Sequence, residues 1–346
     1  MLEFDITTFI IRFGFCAACL TNSFLIYLTV ARVTYIKGTY KYMIIIFAST
    51  CVVFDAFEVL SRPSLHNFDG SLMYFSENGN LDGNQNLIYF YKIFILLYAG
   101  LYSNLIAFVG VQFIFRYSTI LGYSGLLKSF NGFRRLFWLP VVIIPGVMFA
   151  GLGAILMQPD EYSDEYVRAE VRMVYSKNIE DVPRLLMVPY DAQKNIRWNN
   201  LMFSISGITI MTLEYSVIIF CAINMHLNIT EKLKNCSFRH RKLENQFFKA
   251  LLIQITLPTF FLTLPILPVL LLPVLDIKIT FHSNAFYSAL ALYPSMDSIA
   301  MMLIVSEYRT CLKALVSRRL IGSDGKEDSS FTTPAAVIGR GAETPI

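Results

Sequence analysis

Seven apolar stretches, each long enough to cross a bilayer, constrain this chain more than any other feature of it. A spanning helix needs roughly 20 mostly apolar residues, because the hydrocarbon core is about 30 Å thick and an α-helix rises 1.5 Å per residue. The stretches cover residues 9–30, 42–60, 87–115, 136–157, 201–227, 250–275 and 283–305. Charged residues make up 16% of the chain, against about 25% in soluble domains, so no segment has the polar and apolar interleaving of a soluble domain. The expected fold is an all-α membrane protein, a seven-transmembrane helix bundle. The third and fifth stretches are long enough to tilt or to run past the membrane. The sixth carries Pro258, Pro265, Pro268 and Pro273, which lipid-embedded helices tolerate as kinks when neighbours satisfy the freed carbonyls.

Loop charge sets the expected direction. Arg32, Lys37 and Lys41 follow the first stretch, Arg116, Lys128, Arg134 and Arg135 the third, Lys232 to Lys249 the fifth, and Arg309 to Arg319 the last. The alternate loops read differently: 61–86 has one Arg against Asp69, Glu77 and Asp82, and 158–200 is rich in both signs with acids ahead. By the positive-inside rule the basic set is cytoplasmic, which places the N-terminus outside and the C-terminus inside. The chain then divides into a short extracellular N-terminus (1–8), a seven-transmembrane domain (9–319) and a disordered cytoplasmic tail (320–346) rich in Gly, Ser, Thr and Pro. The acidic start, Met1-Leu-Glu-Phe-Asp5, makes the first stretch a retained signal anchor rather than a cleavable signal.

Ionisable groups inside spans are costly and mark function. Asp55 and Glu58 share a face of the second span, Glu214 sits mid-way along the fifth, and Asp297 lies in the seventh. Depth counting puts Asp55, Glu214 and Asp297 near one level, so Asp55 and Asp297 are candidates for a polar layer tied to activation. Tyr91, Ile95, Tyr98 and Tyr102 follow an i, i+4, i+7, i+11 pattern on the third span, and Tyr287 shares a face with Leu290, Pro294 and Asp297 on the seventh. Tyrosine offers an apolar body and a hydroxyl, which suits the wall of a small-molecule cavity. Tyr91, Tyr98, Tyr102, Glu214 and Tyr287 are therefore the candidate ligand-binding residues, in the outer half of the bundle. Interhelical packing explains any single tyrosine as well.

No HExxH, GxSxG, phosphate-cradling Gly-rich loop or Cys/His metal spacing occurs. No enzyme, cofactor or metal is expected, although an intramembrane protease with Asp55 and Asp297 as its dyad is the enzymatic reading to set beside the others. The net charge of +4 gives no reason to expect nucleic acid as a partner.

Three span ends carry a resemblance: Phe113-Ile-Phe-Arg-Tyr117 closes the third, Gln246-Phe-Phe-Lys-Ala-Leu-Leu-Ile-Gln254 runs into Leu257-Pro258 in the sixth, and Tyr293-Pro-Ser-Met-Asp297-Ser with Glu307-Tyr-Arg309 ends the seventh. In this order and spacing they resemble the Str-type seven-transmembrane chemoreceptors of nematodes, serpentine G-protein-coupled receptors that include olfactory receptors. The resemblance implies an odorant or soluble chemical cue as ligand, a heterotrimeric G protein as partner, and a plasma-membrane site, including the ciliary membrane of sensory neurons. It also implies that Arg116 and Tyr117, with Arg134, Arg135, Tyr308 and Arg309, face the G protein, while the basic inner loops meet anionic membrane lipids. The chain departs from the family at Ser298, where a proline is usual, and at Phe115, where rhodopsin-like receptors carry an acid before the arginine. It also lacks a cysteine in 158–200 and at the outer end of the third span, where such receptors often form a disulfide. A ligand-gated channel or transporter of similar helix count is the alternative; insect-type odorant receptors, which are channels, would place the N-terminus inside.

Overall fold

The computed structural model describes residues 2–33, 36, 38–78, 83–234, 237–282, 287 and 289–323. Helix α1 (Leu2–Tyr27) passes through a wide turn (Leu28–Arg32) and is followed by α2 (Thr39–Ser61). A hairpin of β1 (Pro63–Phe68) and β2 (Ser71–Ser76) leads to the long α3 (Gln85–Leu121). Next come the short α4 (Ser124–Ser129), α5 (Trp138–Leu156), α6 (Glu161–Tyr175) and β3 (Arg184–Met187). The chain continues as α7 (Trp198–Lys232), α8 (Phe238–Pro258), α9 (Leu264–Val274), β4 (Phe281–His282), α10 (Tyr293–Ile304) and α11 (Ser306–Ser323).

Five of the expected spans are single helices long and apolar enough to cross a membrane. The sixth is built differently. Pro258 has no N–H to donate, and the next five residues, Thr259–Thr263, widen into a π turn closed by Leu264 N–H on Thr259 O before α9 resumes. The polar head of α8 and the 11-residue length of α9 keep each below a full apolar span. The seventh is represented by the 12-residue α10, and positions 283–286 and 288 of its expected range lie outside the described residues. Helix α3 is the hub, packing against α2, α5, α7 and α8, while α1 closes the bundle against α2 and α10. At the N-terminus helix extends back to Leu2, within the segment expected as a short arm. Of the expected tail, 320–323 continue α11 and 324–346 lie outside the described residues.

One end of the bundle carries a sheet that the all-α expectation did not contain. Its strands run β3-β2-β1-β4, each neighbouring pair antiparallel. The Asp69-Gly70 turn holds both residues at positive φ, 44° and 81°, the left-handed pair a tight hairpin needs. The sheet stitches together the connections α2–α3, α5–α7 and α9–α10. Strand alternation then divides its faces: Leu65, Leu72 and Tyr74 join the bundle core, whereas Met73 and Phe75 pack against Val167 and Val171 of α6. Helix α6 is amphipathic, and Asp160 caps it by accepting from Ser163 N–H while the Ser163 hydroxyl donates to Asp160 O.

Candidate functional site

Beneath the sheet, between α3, α7, α9 and the start of the seventh span, lies a cavity of about 100 Å³. Leu65, Leu72 and Tyr74 roof it, and Phe149, Phe203, Ile266 and Leu270 are among its apolar walls. Four of the five candidate ligand-binding residues, Tyr98, Tyr102, Glu214 and Tyr287, line it. Tyr91 does not. The Tyr74 hydroxyl donates to Ile95 O at 2.8 Å, closing the roof one turn beyond Tyr98. Tyr91 lies another turn out, half-buried, with its ring on Phe90. The helical-face argument put Tyr91, Ile95, Tyr98 and Tyr102 on one face of α3 but gave no depth at which the cavity ends.

The polar groups of the cavity are few and mostly engaged. Ser103 Oγ donates to Glu214 Oε1 at 2.8 Å, joining α3 to α7. Tyr102 and Thr263 hydroxyls meet at 2.7 Å, and Tyr215 reaches both Thr263 (2.8 Å) and Thr259 (2.9 Å). This hydroxyl chain ties the cavity floor to the two ends of the π turn below Pro258. Tyr98 is 3% exposed, and its hydroxyl is engaged with the buried Glu58 of α2.

The other intramembrane acids lie off the cavity. Asp297 accepts from Gln254 Nε2 of α8 at 3.0 Å. Asp55 is buried, and neither of its oxygens receives a hydrogen bond. Both acids neighbour Cys51, yet no direct hydrogen bond joins the two carboxyl groups. Ser298, in the place of the usual proline, donates to Asn22 Oδ1 at 2.6 Å, and Asn22 Nδ2 donates to Pro294 O at 3.3 Å. A serine hydroxyl and an α1 amide thus hold the helix where the family pattern has a ring.

At the opposite end Arg116 is 3% exposed and pairs with Glu244 of α8, with N···O distances of 2.9 and 3.1 Å. Its guanidinium lies 3.4 Å from the Tyr40 ring centroid and 4.1 Å from that of Phe247. The sequence reading noted that no acid precedes Arg116; the structure supplies one from 128 residues away. Sequence alone singles out neither Glu244 nor Tyr40, and Phe247 only as part of the Gln246–Gln254 stretch. Glu244 stands two residues before Gln246 on α8. That glutamine accepts from Ser306 N–H and Oγ at 3.0 and 2.9 Å, where Val305 turns extended between α10 and α11. Tyr308 is fully buried with its hydroxyl 2.8 Å from Thr29 Oγ1. Tyr117 packs on Tyr123 and Phe220, while Arg134, Arg135 and Arg309 are exposed.

The lid outside the bundle is held by charge as well as by strands. Arg184 donates to both oxygens of Asp164 (2.7 and 2.5 Å) and to Val182 O, and Arg197 pairs with Asp160. Burial works against the charged form of Asp160, but its bonds to Ser163 and Arg197 outweigh that and hold its carboxyl below the usual range. Burial and the adjacent Asp69 push the Tyr166 hydroxyl up to about 12. Cys16, Cys19, Cys51, Cys221 and Cys311, the cysteines among the described residues, are all free.

The family model described as serpentine type 7TM GPCR chemoreceptor Str matches residues 7–313. G-protein coupled receptor str-33 of Caenorhabditis elegans is 38% identical over 316 residues, which is 90% of this chain and 91% of that protein. Serpentine receptor class r-10 of Caenorhabditis elegans is 25% identical over 303 residues, 86% of each chain. Squid rhodopsin shares the fold, with a TM-score of 0.52 at 13% identity over 93% of this chain and 87% of that one. A buried arginine at the end of the third span, a roofed cavity at the other, and a family match over nearly the whole length agree: the chain belongs to the Str family of serpentine seven-transmembrane G-protein-coupled chemoreceptors.

Proposed function

We propose that this receptor lies in the plasma membrane, including that of sensory cilia, with N-terminus and sheet outside and C-terminus inside. It takes an external small molecule into the roofed cavity and signals to a heterotrimeric G protein at the Arg116 end. The observation that carries this is the cavity itself. It is mostly apolar, closed by a lid drawn from three connections, and in contact with the hydroxyl chain of the π turn. The charge of the loops supports the orientation, since Arg134, Arg135 and Arg309 are exposed at the end opposite the sheet.

Transmission follows from the geometry. A ligand that competes for Tyr102 or Thr263 removes a strut from the π turn, the point where α8 and α9 have the least continuous hydrogen bonding. A small change there swings the far end of α8, which bears Glu244. Separating Glu244 from Arg116 then opens the surface bounded by Tyr117, Tyr308 and the exposed arginines. The ligand need only bind the open arrangement more tightly than the closed one. Tyr98, Glu214 and Tyr287 serve as the further ligand contacts, and Asp55 and Asp297 as the polar layer between the two ends.

Cells expressing the receptor, screened with odorants and soluble cues by calcium or cyclic-nucleotide readout, provide the test. Ala99 lines the cavity, and Ala99→Phe fills it. We expect the variant to reach the surface and lose at least tenfold in sensitivity. An undiminished response sinks the cavity as the ligand site.

A further inference from the structure

The cavity has one carboxylate left after its internal bonds are assigned. Tyr102 and Thr263 satisfy each other, and Tyr74 is spent on Ile95 O. The Tyr98 hydroxyl is engaged with Glu58 of α2. Glu214 is the one acid among the described lining residues, and no lysine, arginine or histidine lines the cavity beside it. The Ser103 hydroxyl donates to Oε1 and ties the Glu214 head to α3, so Oε2 is the oxygen that Ser103 does not hold.

An acidic group in apolar surroundings needs a donor, and a cationic donor most of all. A hydrogen bond between an ammonium and a carboxylate is about twice as strong as one between neutral groups. The remaining walls are hydrocarbon and aromatic, and the volume of about 100 Å³ suits a small organic molecule. We infer that the cavity selects a small primary or secondary amine, whose N–H donates to Glu214 Oε2 while an apolar body fills the space under the sheet. This rests on the cavity being the ligand site, as proposed above.

The test uses full-length receptor purified in nanodiscs, with straight-chain primary amines from butyl to octyl and the corresponding alcohols as probes. Thermal unfolding at increasing probe concentration reports binding, since a ligand that binds only the folded state raises Tm. Amines are expected to half-saturate at least tenfold below the alcohols. Glu214→Gln should erase that preference, and Glu214→Asp, which keeps the charge, should restore most of it. Ala99→Phe should abolish binding of both series. Equal affinity for amines and alcohols, an amine preference that survives Glu214→Gln, or no shift with any amine overturns the inference. If Ala99→Phe abolishes alcohol binding while amines show no preference, the cavity reading stands and the amine inference alone falls. If Ala99→Phe leaves both series bound, the cavity reading fails, and the inference with it.

Discussion

The two ends of the bundle are closed in opposite ways. At the sheet end closure is distributed: backbone bonds of four strands, the packing of α6 and several ion pairs share the load over the cavity. At the arginine end one buried ion pair, held between Tyr40 and Phe247, joins α3 to α8. A distributed closure resists the loss of any one contact, whereas a concentrated one fails when one contact is lost. On the proposed function, that asymmetry lets the shelter over the cavity persist while the Arg116 end switches.

The concentrated contact gives the largest expected effect. Glu244→Gln leaves the Arg116 guanidinium buried without its counter-charge, a change that costs about 3–5 kcal/mol in comparable sites. Raised signalling without ligand and a lowered Tm in micelles are expected. A variant as quiet and as stable as the native receptor breaks the comparison at its centre. Arg184→Ala removes a charged, multiply bonded strut from the lid, worth about 1.5–3 kcal/mol where such bonds are partly buried. Hydrogen exchange should quicken at β2 and β3 amides, with much less gain in ligand-free signalling than Glu244→Gln produces.

A smaller effect is expected at the hydroxyl chain. Tyr102→Phe deletes one neutral hydrogen bond, about 0.5–1.5 kcal/mol, so the dose–response midpoint should move by roughly two- to tenfold. A midpoint that stays in place removes the π turn from the route. The smallest effect concerns acid. The folded-state carboxyl of Asp160 titrates below its unfolded value, so its stabilisation is present above about pH 4 and lost as pH falls through the lower folded value. Lid protection factors, taken against the intrinsic exchange rate at each pH, should therefore be flat from neutral pH to about pH 5 on this account and fall below pH 4. Asp160→Asn should blunt that fall.

Much of the fold was legible because membrane helices declare themselves locally. Each span satisfies its own backbone, so length and hydropathy suffice to find it. The sheet escaped because β3 and β4 pair with strands that lie far off in the chain, and pairings of that kind leave no local period. The hairpin was the exception: Asp69-Gly70 stands between Leu65-His-Asn-Phe68 and Ser71-Leu-Met-Tyr-Phe75, a signature that the apolar reading passed over. Within the site, Tyr98, Tyr102 and Tyr287 could be seen because they share helical faces. The Arg116–Glu244 pair could not, since its partners meet only when α8 crosses α3. Tyr91 shows the limit in the other direction, for the right face at the wrong depth carries no contact with the cavity.

Spin labels placed at Tyr123, just past α3, and His240, early in α8, both exposed positions, report the separation on which the account depends. With a cue that drives the cell response, the distance between them should lengthen in the native receptor and stay short in Ala99→Phe. A full cellular response with the distance unchanged would contradict the claim that a ligand under the sheet acts by parting Glu244 from Arg116.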